Sequence, residues 1–168
     1  MADVHTLLNE YLNYLEIEKN RSPKTRENYE RYLREFLKFT KISSPSQITD
    51  TVVRNFRLNL ARRPLKKISQ GYYVIALRNF LKYLAKRDID VLAPEKIELP
   101  KVPSRQIEVL DYQDLERLIR MPKETNLRTL RDQAVIETLF STGLRLAELC
   151  SLDRYLDLNR GEISVRGK

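Results

Sequence analysis

Apolar residues recur at helical spacing along most of the chain. In the first such segment, one stripe collects Val4, Leu7, Leu8, Tyr11, Leu12 and Leu15. Because residues three and four apart share a helix face, this stripe predicts an amphipathic helix over residues 4–18. The helical pattern is interrupted after this segment. Ser22, followed by Pro23, suits the start of a second helix. Serine accepts a hydrogen bond from a free first-turn N–H, and proline needs no donor at the first helical position.

The same periodicity predicts three further helices in the N-terminal part. The inward positions are Tyr29, Tyr32, Leu33, Phe36 and Leu37 in the second helix, Val53, Phe56 and Leu60 in the third, and Tyr73, Ala76, Leu77, Phe80, Leu81 and Leu84 in the fourth. Thr49-Asp50 is predicted to cap the third helix, and Ser69 is the predicted N-cap of the fourth. Residues 1–91 therefore read as a four-helix domain.

The helical periodicity of apolar residues ends over residues 92–109. Three prolines there exclude regular backbone hydrogen bonding, so this segment is predicted to be a linker. Residues 110–168 then form a second domain. Asp111 is expected to cap one helix and Thr125 a longer one. Alternating Ile163 and Val165 after a polar turn predict a short β-hairpin. The expected fold class is mainly α: a four-helix domain followed by a partial α+β domain, helices first and then the hairpin.

Charge is the strongest compositional signal. The formal net charge of +8 and the pI near 9.6 favour a polyanionic partner, most often nucleic acid. Residues 1–100 carry 19 Lys and Arg against 12 Asp and Glu, whereas residues 101–168 carry 12 against 11. The excess therefore lies in the N-terminal domain, as expected if that domain grips DNA. A basic surface that only aids solubility is the alternative.

Other features narrow the class of protein. The single cysteine, Cys150, excludes a disulfide framework and favours a reducing compartment, so a cytoplasmic location is expected. No signal peptide or long uncharged apolar run is present, which disfavours secretion and membrane spanning. No phosphate-binding loop, Cys/His cluster or Ser-His-Asp set appears, so neither a metal nor a cofactor is expected.

Arg145 stands out near the C-terminus. Gly143 lies where a helix C-cap belongs, because glycine takes the left-handed conformation without a Cβ penalty. A second short helix begins at once, which predicts that packing on both sides holds Arg145 rigidly. A guanidinium offers a planar fork of donors suited to a phosphate. The alternative is a structural ion pair with Glu148 or Asp132.

The sequence segments around Arg145 resemble a known motif. The segments Arg131 to Ala134, Leu139 to Arg145, Glu148-Leu149 and Leu152 resemble the first arginine box of the tyrosine recombinases of the Xer and phage-integrase type. The resemblance implies that Arg145 binds the scissile phosphate and that Glu148 supports the site. Residues 157–168 resemble the family's β-hairpin, which implies that Lys168 is a candidate general acid.

The resemblance extends upstream. Two segments are similar to the family's SAM-like core-binding domain: the Ser-Pro-Lys-Thr motif at residues 22–25, and the apolar and basic pattern at residues 76–84. There the second and fourth helices enter the DNA groove, which implies DNA contacts for Lys24, Thr25, Arg26, Gln70 and Arg78. Lys66 and Lys67 flank a helix N-terminus, which offers N–H groups and charge to a DNA backbone. The alternative to DNA contact for the second helix is a solvent-exposed face that carries the ion pairs Glu27–Arg31 and Glu30–Arg34.

The family's later motifs are absent from this sequence. Its nucleophile is a Tyr that follows a His-x-x-Arg box, and the one histidine here is His5. The resemblance thus implies the first part of an enzyme that cleaves and rejoins double-stranded DNA through a 3′-phosphotyrosyl intermediate, assembling as tetramers on DNA. This chain alone is expected to bind DNA without cutting it. The alternatives are a non-catalytic DNA-binding protein that regulates or competes at recombination sites, and a basic helical protein-interaction module.

Overall fold

Helices dominate the structure, a computed structural model that describes residues 3–100, 109–120, 126–153, 155, 161–162 and 164–165. Within these ranges the α-helices are α1 (Val4–Ile17), α2 (Pro23–Thr40), α3 (Asp50–Ala61), α4 (Lys67–Ala85), α5 (Tyr112–Arg120), α6 (Leu127–Thr142) and α7 (Leu146–Cys150). Short 3₁₀ helices lie at Pro45–Gln47 and Pro94–Lys96. The mainly helical class is confirmed. Most of the predicted hairpin lies outside the described residues, and the described residues after Cys150 contain no strand.

Two compact units divide the chain, Met1–Ser104 and Arg105–Lys168. The first has a continuous apolar core contributed by α1 to α4, and all six residues of the predicted α1 stripe are buried in it. The α2 prediction holds for Leu33, Phe36 and Leu37, whereas Tyr29 and Tyr32 are half-buried against the core. Burying such side chains is the main favourable term in folding.

Helix caps follow the sequence at three positions. The Ser22 side chain accepts a hydrogen bond from the Thr25 N–H at 3.3 Å. Thr49 accepts one from the Val52 N–H at 3.4 Å, and Asp111 accepts one from the Asp114 N–H at 2.9 Å. Each satisfies a first-turn donor that would otherwise lack a partner.

Two predicted caps are wrong. α4 begins at Lys67 with Lys66 at the cap position, so Ser69 lies inside the first turn. The Gln70 amide closes this start by donating to the Leu65 carbonyl at 3.0 Å. α6 is capped by Asn126, whose side chain accepts from two N–H groups; Thr125 is outside the described residues. Asparagine caps at least as well as threonine, and periodicity alone does not separate neighbouring candidates.

A polar contact ties the basic turn to the core. Glu35 of α2 accepts a hydrogen bond from the Tyr73 hydroxyl at 2.7 Å and pairs with Arg63. Partial burial pushes the pKa of Glu35 up, but the hydrogen bonds from Arg63 and Tyr73 outweigh it, so the pKa is lowered. Burial and the bond to Glu35 raise the pKa of Tyr73 to about 12. Tyr73, predicted to be a core residue, is half-buried because its hydroxyl needs this polar partner.

The first unit extends past residue 91. Ile97, within the predicted linker, is only 2% exposed and belongs to the core. Arg78 donates from Nε to the Pro94 carbonyl at 3.1 Å, and a Cβ added to Gly71 would lie 3.3 Å from Pro100 Cγ. Prolines set the turns of this segment, while Ile97 and the half-buried Leu92 anchor it to the core.

The second unit is built from α5, α6 and α7. Among its described residues none is buried, and large apolar side chains such as Leu127, Phe140 and Leu146 are more than half exposed. Gly143 ends α6 in the left-handed conformation with a φ of 66°, as predicted. Local caps therefore hold the turn between α6 and α7. Among the described residues, no helix is long and apolar enough to cross a membrane.

Candidate nucleic-acid interface

The four helices of the first unit differ in charge. α1 contains two glutamates and no Lys or Arg, whereas α4 contains Lys67, Arg78 and Lys82 and no Asp or Glu. Lys66 and Lys67 are exposed at the start of α4, and neither side chain has a hydrogen bond or ion pair within the part of the chain that the structure describes. The N–H groups of this helix start are open to an anion, and the two ammonium groups add charge beside them.

At the start of α2, the predicted DNA-contacting residues already have partners. Lys24 pairs with Glu27 at 2.7 Å, although both side chains are largely exposed. Arg26 lies 3.0 Å from Glu16 and 3.3 Å from Glu30. The Thr25 hydroxyl is 3.0 Å from that of Ser22. Exposed pairs of this kind contribute little free energy, so a phosphate can compete for Lys24 more readily than for doubly paired Arg26.

The predicted salt-bridged face of α2 is only partly formed. Glu30 pairs with Arg34 at 2.8 Å as expected, but Glu27 pairs with Lys24 rather than Arg31. The Arg31 guanidinium instead donates to Asn28 and stacks over the Tyr32 ring, 5.0 Å from its centroid.

Gln70 and Arg78 of α4 are half-buried, and their side chains donate hydrogen bonds to backbone carbonyls within the first unit. The Gln70 amide is bonded to the Leu65 carbonyl, and the Arg78 guanidinium to that of Pro94. Both bonds hold turns of the first unit in place. A base or phosphate would have to replace them, so neither side chain is pre-arranged for DNA.

A cationic cleft that the sequence reasoning missed lies between α1, the start of α2 and the end of α4. It measures about 420 Å³, and its basic lining residues are Lys19, Arg21, Lys82 and Lys86. Tyr14 and Tyr29 supply phenol groups, and no Asp or Glu is among the described residues that line it. Lys82 and Lys86 lie one helical turn apart and off the apolar stripe, a spacing that was visible in the sequence. Their grouping with Arg21, more than 60 positions away in the chain, was not.

In the second unit, Arg145 occupies the N-cap position of α7 directly after the Gly143 turn. Its guanidinium donates from Nη1 to Glu148 Oε1 at 2.9 Å, and its backbone N–H donates to Oε2 at 2.8 Å. The side chain is 84% exposed, so this pair is a surface pair and not an interior one. The expectation that packing on both sides fixes Arg145 is wrong, because Leu146 beside it is 66% exposed. Two hydrogen bonds to Glu148 and the glycine cap fix it instead.

Glu148 is the partner that organises this turn. The backbone N–H of Arg145, followed by its guanidinium, lowers the pKa of the Glu148 carboxyl. The carboxylate therefore stays ionised, and it orients the guanidinium while leaving most of it open to solvent. Lys168 lies outside the described residues.

Comparisons with known proteins cover both units. Residues 8–88 match the model of the phage integrase N-terminal SAM-like domain. The tyrosine recombinase XerC from Escherichia coli O139:H28 (strain E24377A / ETEC) is 36% identical over 173 aligned residues, which cover 100% of this chain and 58% of that protein. XerC from E. coli K12 / DH10B gives the same identity and coverage. The chain is similar over its whole length to these tyrosine recombinases.

The matched regions map onto the helices of this chain in different ways. The SAM-like model runs from within α1 to just beyond α4, whereas the XerC alignments also include the second unit with Arg145 and Glu148. A solved structure, the XerA recombinase, aligns over 98% of this chain and 56% of its own, with 26% identity and a TM-score of 0.49. The chain thus spans somewhat more than half the length of its relatives.

Proposed function

We propose that this chain binds double-stranded DNA as part of a site-specific tyrosine recombinase, which cleaves and rejoins DNA through a 3′-phosphotyrosyl intermediate. The observation that carries the proposal is the 36% identity to XerC over the whole chain, including the arginine box. The unpaired cations of the first unit support it independently. In this proposal residues 1–91 are the core-binding domain, 92–109 its extension into the linker, and 110–168 the first part of the catalytic domain.

The first unit is proposed to hold the DNA backbone at two places. One is the start of α4 with Lys66 and Lys67, and the other is the cleft with Arg21, Lys82 and Lys86. Charge-assisted hydrogen bonds to phosphate oxygens are among the stronger ones, and they fix position without reading sequence. Lys24 and Thr25 are proposed as additional contacts. Arg26, Gln70 and Arg78 contribute only where DNA replaces their internal partners.

Arg145 is proposed to bind the scissile phosphate. Its guanidinium is exposed, always charged and oriented by Glu148, so it can stabilise the negative charge that develops on the phosphate oxygens during cleavage. Lys168 stays the proposed general acid that protonates the leaving oxygen. The sequence carries no motif for the family's tyrosine nucleophile, so this chain by itself is proposed to bind DNA without cutting it, and with no cofactor.

The proposed partners are duplex DNA and further recombinase protomers, which form a tetramer on paired sites. The proposed location is the cytoplasm, on the ground that the sequence has a single cysteine.

Duplex binding at several salt concentrations tests the proposal. Fluorescence anisotropy with a labelled duplex should give a log–log slope against salt near −0.9 for each phosphate neutralised, so several contacts give a steep decline. Supercoiled plasmid incubated with the chain should stay unnicked. An affinity that does not change with salt would remove the DNA-binding proposal, and nicked plasmid would remove the claim that the chain cannot cut.

A further inference from the structure

The turn between α3 and α4, residues 62–66, leads directly into the two exposed lysines at the start of α4. Within the turn, the Leu65 N–H donates to the Arg63 carbonyl at 2.7 Å. The Gln70 amide donates to the Leu65 carbonyl at 3.0 Å. These bonds define the local shape of the turn, but they do not join it to α2. The direction in which the lysines leave the unit therefore depends on contacts with other elements.

One carboxylate makes the connection to α2. Glu35 of α2 pairs through Oε1 with Nη1 of Arg63, and its Oε2 accepts a hydrogen bond from the Tyr73 hydroxyl at 2.7 Å. Arg63 lies before the start of α4 and Tyr73 lies inside that helix. Because its two oxygens have different partners, Glu35 ties the segments on both sides of the α4 start to the same point on α2.

The Tyr73 end of this connection is held by packing. Its ring lies 4.5 Å from the Tyr32 ring of α2 and 6.1 Å from the Phe56 ring of α3, centroid to centroid. Two aromatic neighbours restrict the ring, so the hydroxyl meets the Glu35 carboxylate from a set direction. The carboxylate is thus fixed before Arg63 reaches it, and it is the turn that is positioned by the pair.

We propose that Glu35 is a positioning residue for DNA binding: through Arg63 it holds the α3–α4 turn where Lys66 and Lys67 reach the DNA backbone. This role rests on the proposed DNA contact at the start of α4. Glu35 itself does not touch the phosphates, which would repel it. Its effect is to order the turn in advance, so that the two lysines lose less conformational freedom when DNA binds.

The sign of the Glu35→Gln effect on duplex affinity separates positioning from plain charge. The substitution removes a negative charge and leaves Arg63 without its carboxylate, so charge alone gives tighter binding to a polyanion. Positioning gives the opposite result. The affinity at low salt should fall about five- to fiftyfold, the range implied by ordering two long side chains. The log–log slope against salt should become less steep by up to about 1.8, for the contacts of Lys66 and Lys67.

Glu30→Gln is the matched control. Glu30 stands on the same helix with 29% exposure, against 28% for Glu35, and it pairs with Arg34 at 2.8 Å and Arg26 at 3.3 Å. The control removes the same charge and also releases arginines, but it does not involve the turn. It should bind duplex as tightly as the wild type or more tightly. If Glu35→Gln binds as the control does, the positioning role is wrong.

Lys66→Gln/Lys67→Gln, made in the wild type and in the Glu35→Gln chain, separates this role from the function on which it rests. The double change should weaken duplex binding by the wild type and have little further effect in the Glu35→Gln chain, where the contacts are already lost. Equal losses in both chains overturn the positioning role and leave the DNA contact standing. No loss in the wild type removes the DNA contact at the α4 start, and the positioning role with it.

Hydrogen exchange without DNA checks the geometry by itself. The Gln70 N–H closes the first turn of α4 on the Lys66 carbonyl at 3.1 Å, and in Glu35→Gln it should exchange faster while amides in the middle of α4 keep the wild-type rate. Unchanged exchange at Gln70 contradicts the role. If Glu35→Gln loses its helical circular dichroism signal, Arg63→Gln makes the same tests, because it breaks the pair at the more exposed partner and leaves the Tyr73 bond in place.

Discussion

Glu148 accepts two hydrogen bonds from Arg145, one from the backbone N–H at 2.8 Å and one from the guanidinium at 2.9 Å. One carboxylate thus closes the start of α7 and orients the side chain at its cap. The structural ion pair and the phosphate site, which are alternatives in the sequence, are compatible in this geometry. The guanidinium has five donor hydrogens, and most of the side chain is exposed despite the pair.

Arg145→Ala should abolish DNA cleavage in a protein that also carries the family's nucleophile, because the phosphate charge then lacks its main stabilising group. Duplex affinity should fall little, since the proposed DNA grip lies in the first unit. Cleavage of a nicked suicide substrate and anisotropy measured side by side check this. Normal cleavage by the variant would show that the proposed role of Arg145 is mistaken.

The Glu148 carboxyl should titrate below the ordinary glutamate range near pH 4.3, because both hydrogen bonds favour its ionised form. Since the folded-state pKa is depressed, the stabilisation of the α7 start is present above the unfolded value and is lost as pH falls through the folded one. Carbon-detected NMR titration of the side chain measures it. Arg145→Lys, which keeps the backbone N–H, should retain part of the shift; a midpoint at the ordinary value in the wild type contradicts the geometry.

Gly143→Ala should strain the turn that places Arg145, because φ is 66° there and a Cβ costs about 1–2 kcal/mol in this conformation. Gly143→Asn is the matched control, since asparagine tolerates the left-handed region. Hydrogen exchange of the residue 143 amide, which donates to the Leu139 carbonyl at 3.0 Å, reports on the cap. Faster exchange is expected for alanine than for asparagine, and equal rates would count against a strained cap.

Tyr73→Phe should destabilise the first unit by about 1–2 kcal/mol, because it removes a hydrogen bond to the Glu35 carboxylate. It should also raise the pKa of Glu35. As the folded-state pKa of Glu35 is depressed, this stabilisation is present at neutral pH and is lost as pH falls through the folded value, so the difference from wild type should shrink in acid.

Urea unfolding followed by tyrosine signals measures this difference, since seven of the nine tyrosines lie in the first unit. Tyr72→Phe, a change on an exposed tyrosine of the same helix, is the control and should be near neutral. A difference that stays constant from neutral to acid pH would exclude the proposed link to Glu35.

The apolar stripes predicted the first four helices because their spacing is a local property of the chain. Caps were less predictable, since Lys66 and Asn126 each lie within three residues of a serine or threonine that also suits an N-cap. Arg78 shows a more general limit of prediction from one sequence. The family resemblance implied a DNA contact for this residue, but Ile97 packs the following segment back onto the core, and the Pro94 carbonyl accepts a hydrogen bond from the guanidinium. Such contacts depend on tertiary packing that one sequence does not reveal.

The cationic cleft was missed for the same reason. Lys82 and Lys86 were visible as off-stripe residues of α4, yet α1 and the start of α2 must pack beside them before Arg21 and two tyrosines complete the lining. Charge counting indicates the first domain, and the fold shows which of its basic residues lie together.

The most direct test of the account is the salt dependence of duplex affinity for Lys82→Gln/Lys86→Gln against Arg117→Gln/Arg120→Gln. The control removes the same charge from α5, where each arginine already has a carboxylate partner. The cleft variant should bind more weakly at low salt, and its log–log slope should be less steep by about 0.9 for each lost phosphate contact, while the control keeps the wild-type slope. A cleft variant with the affinity and slope of the wild type would contradict the claim that the first unit grips the DNA backbone there.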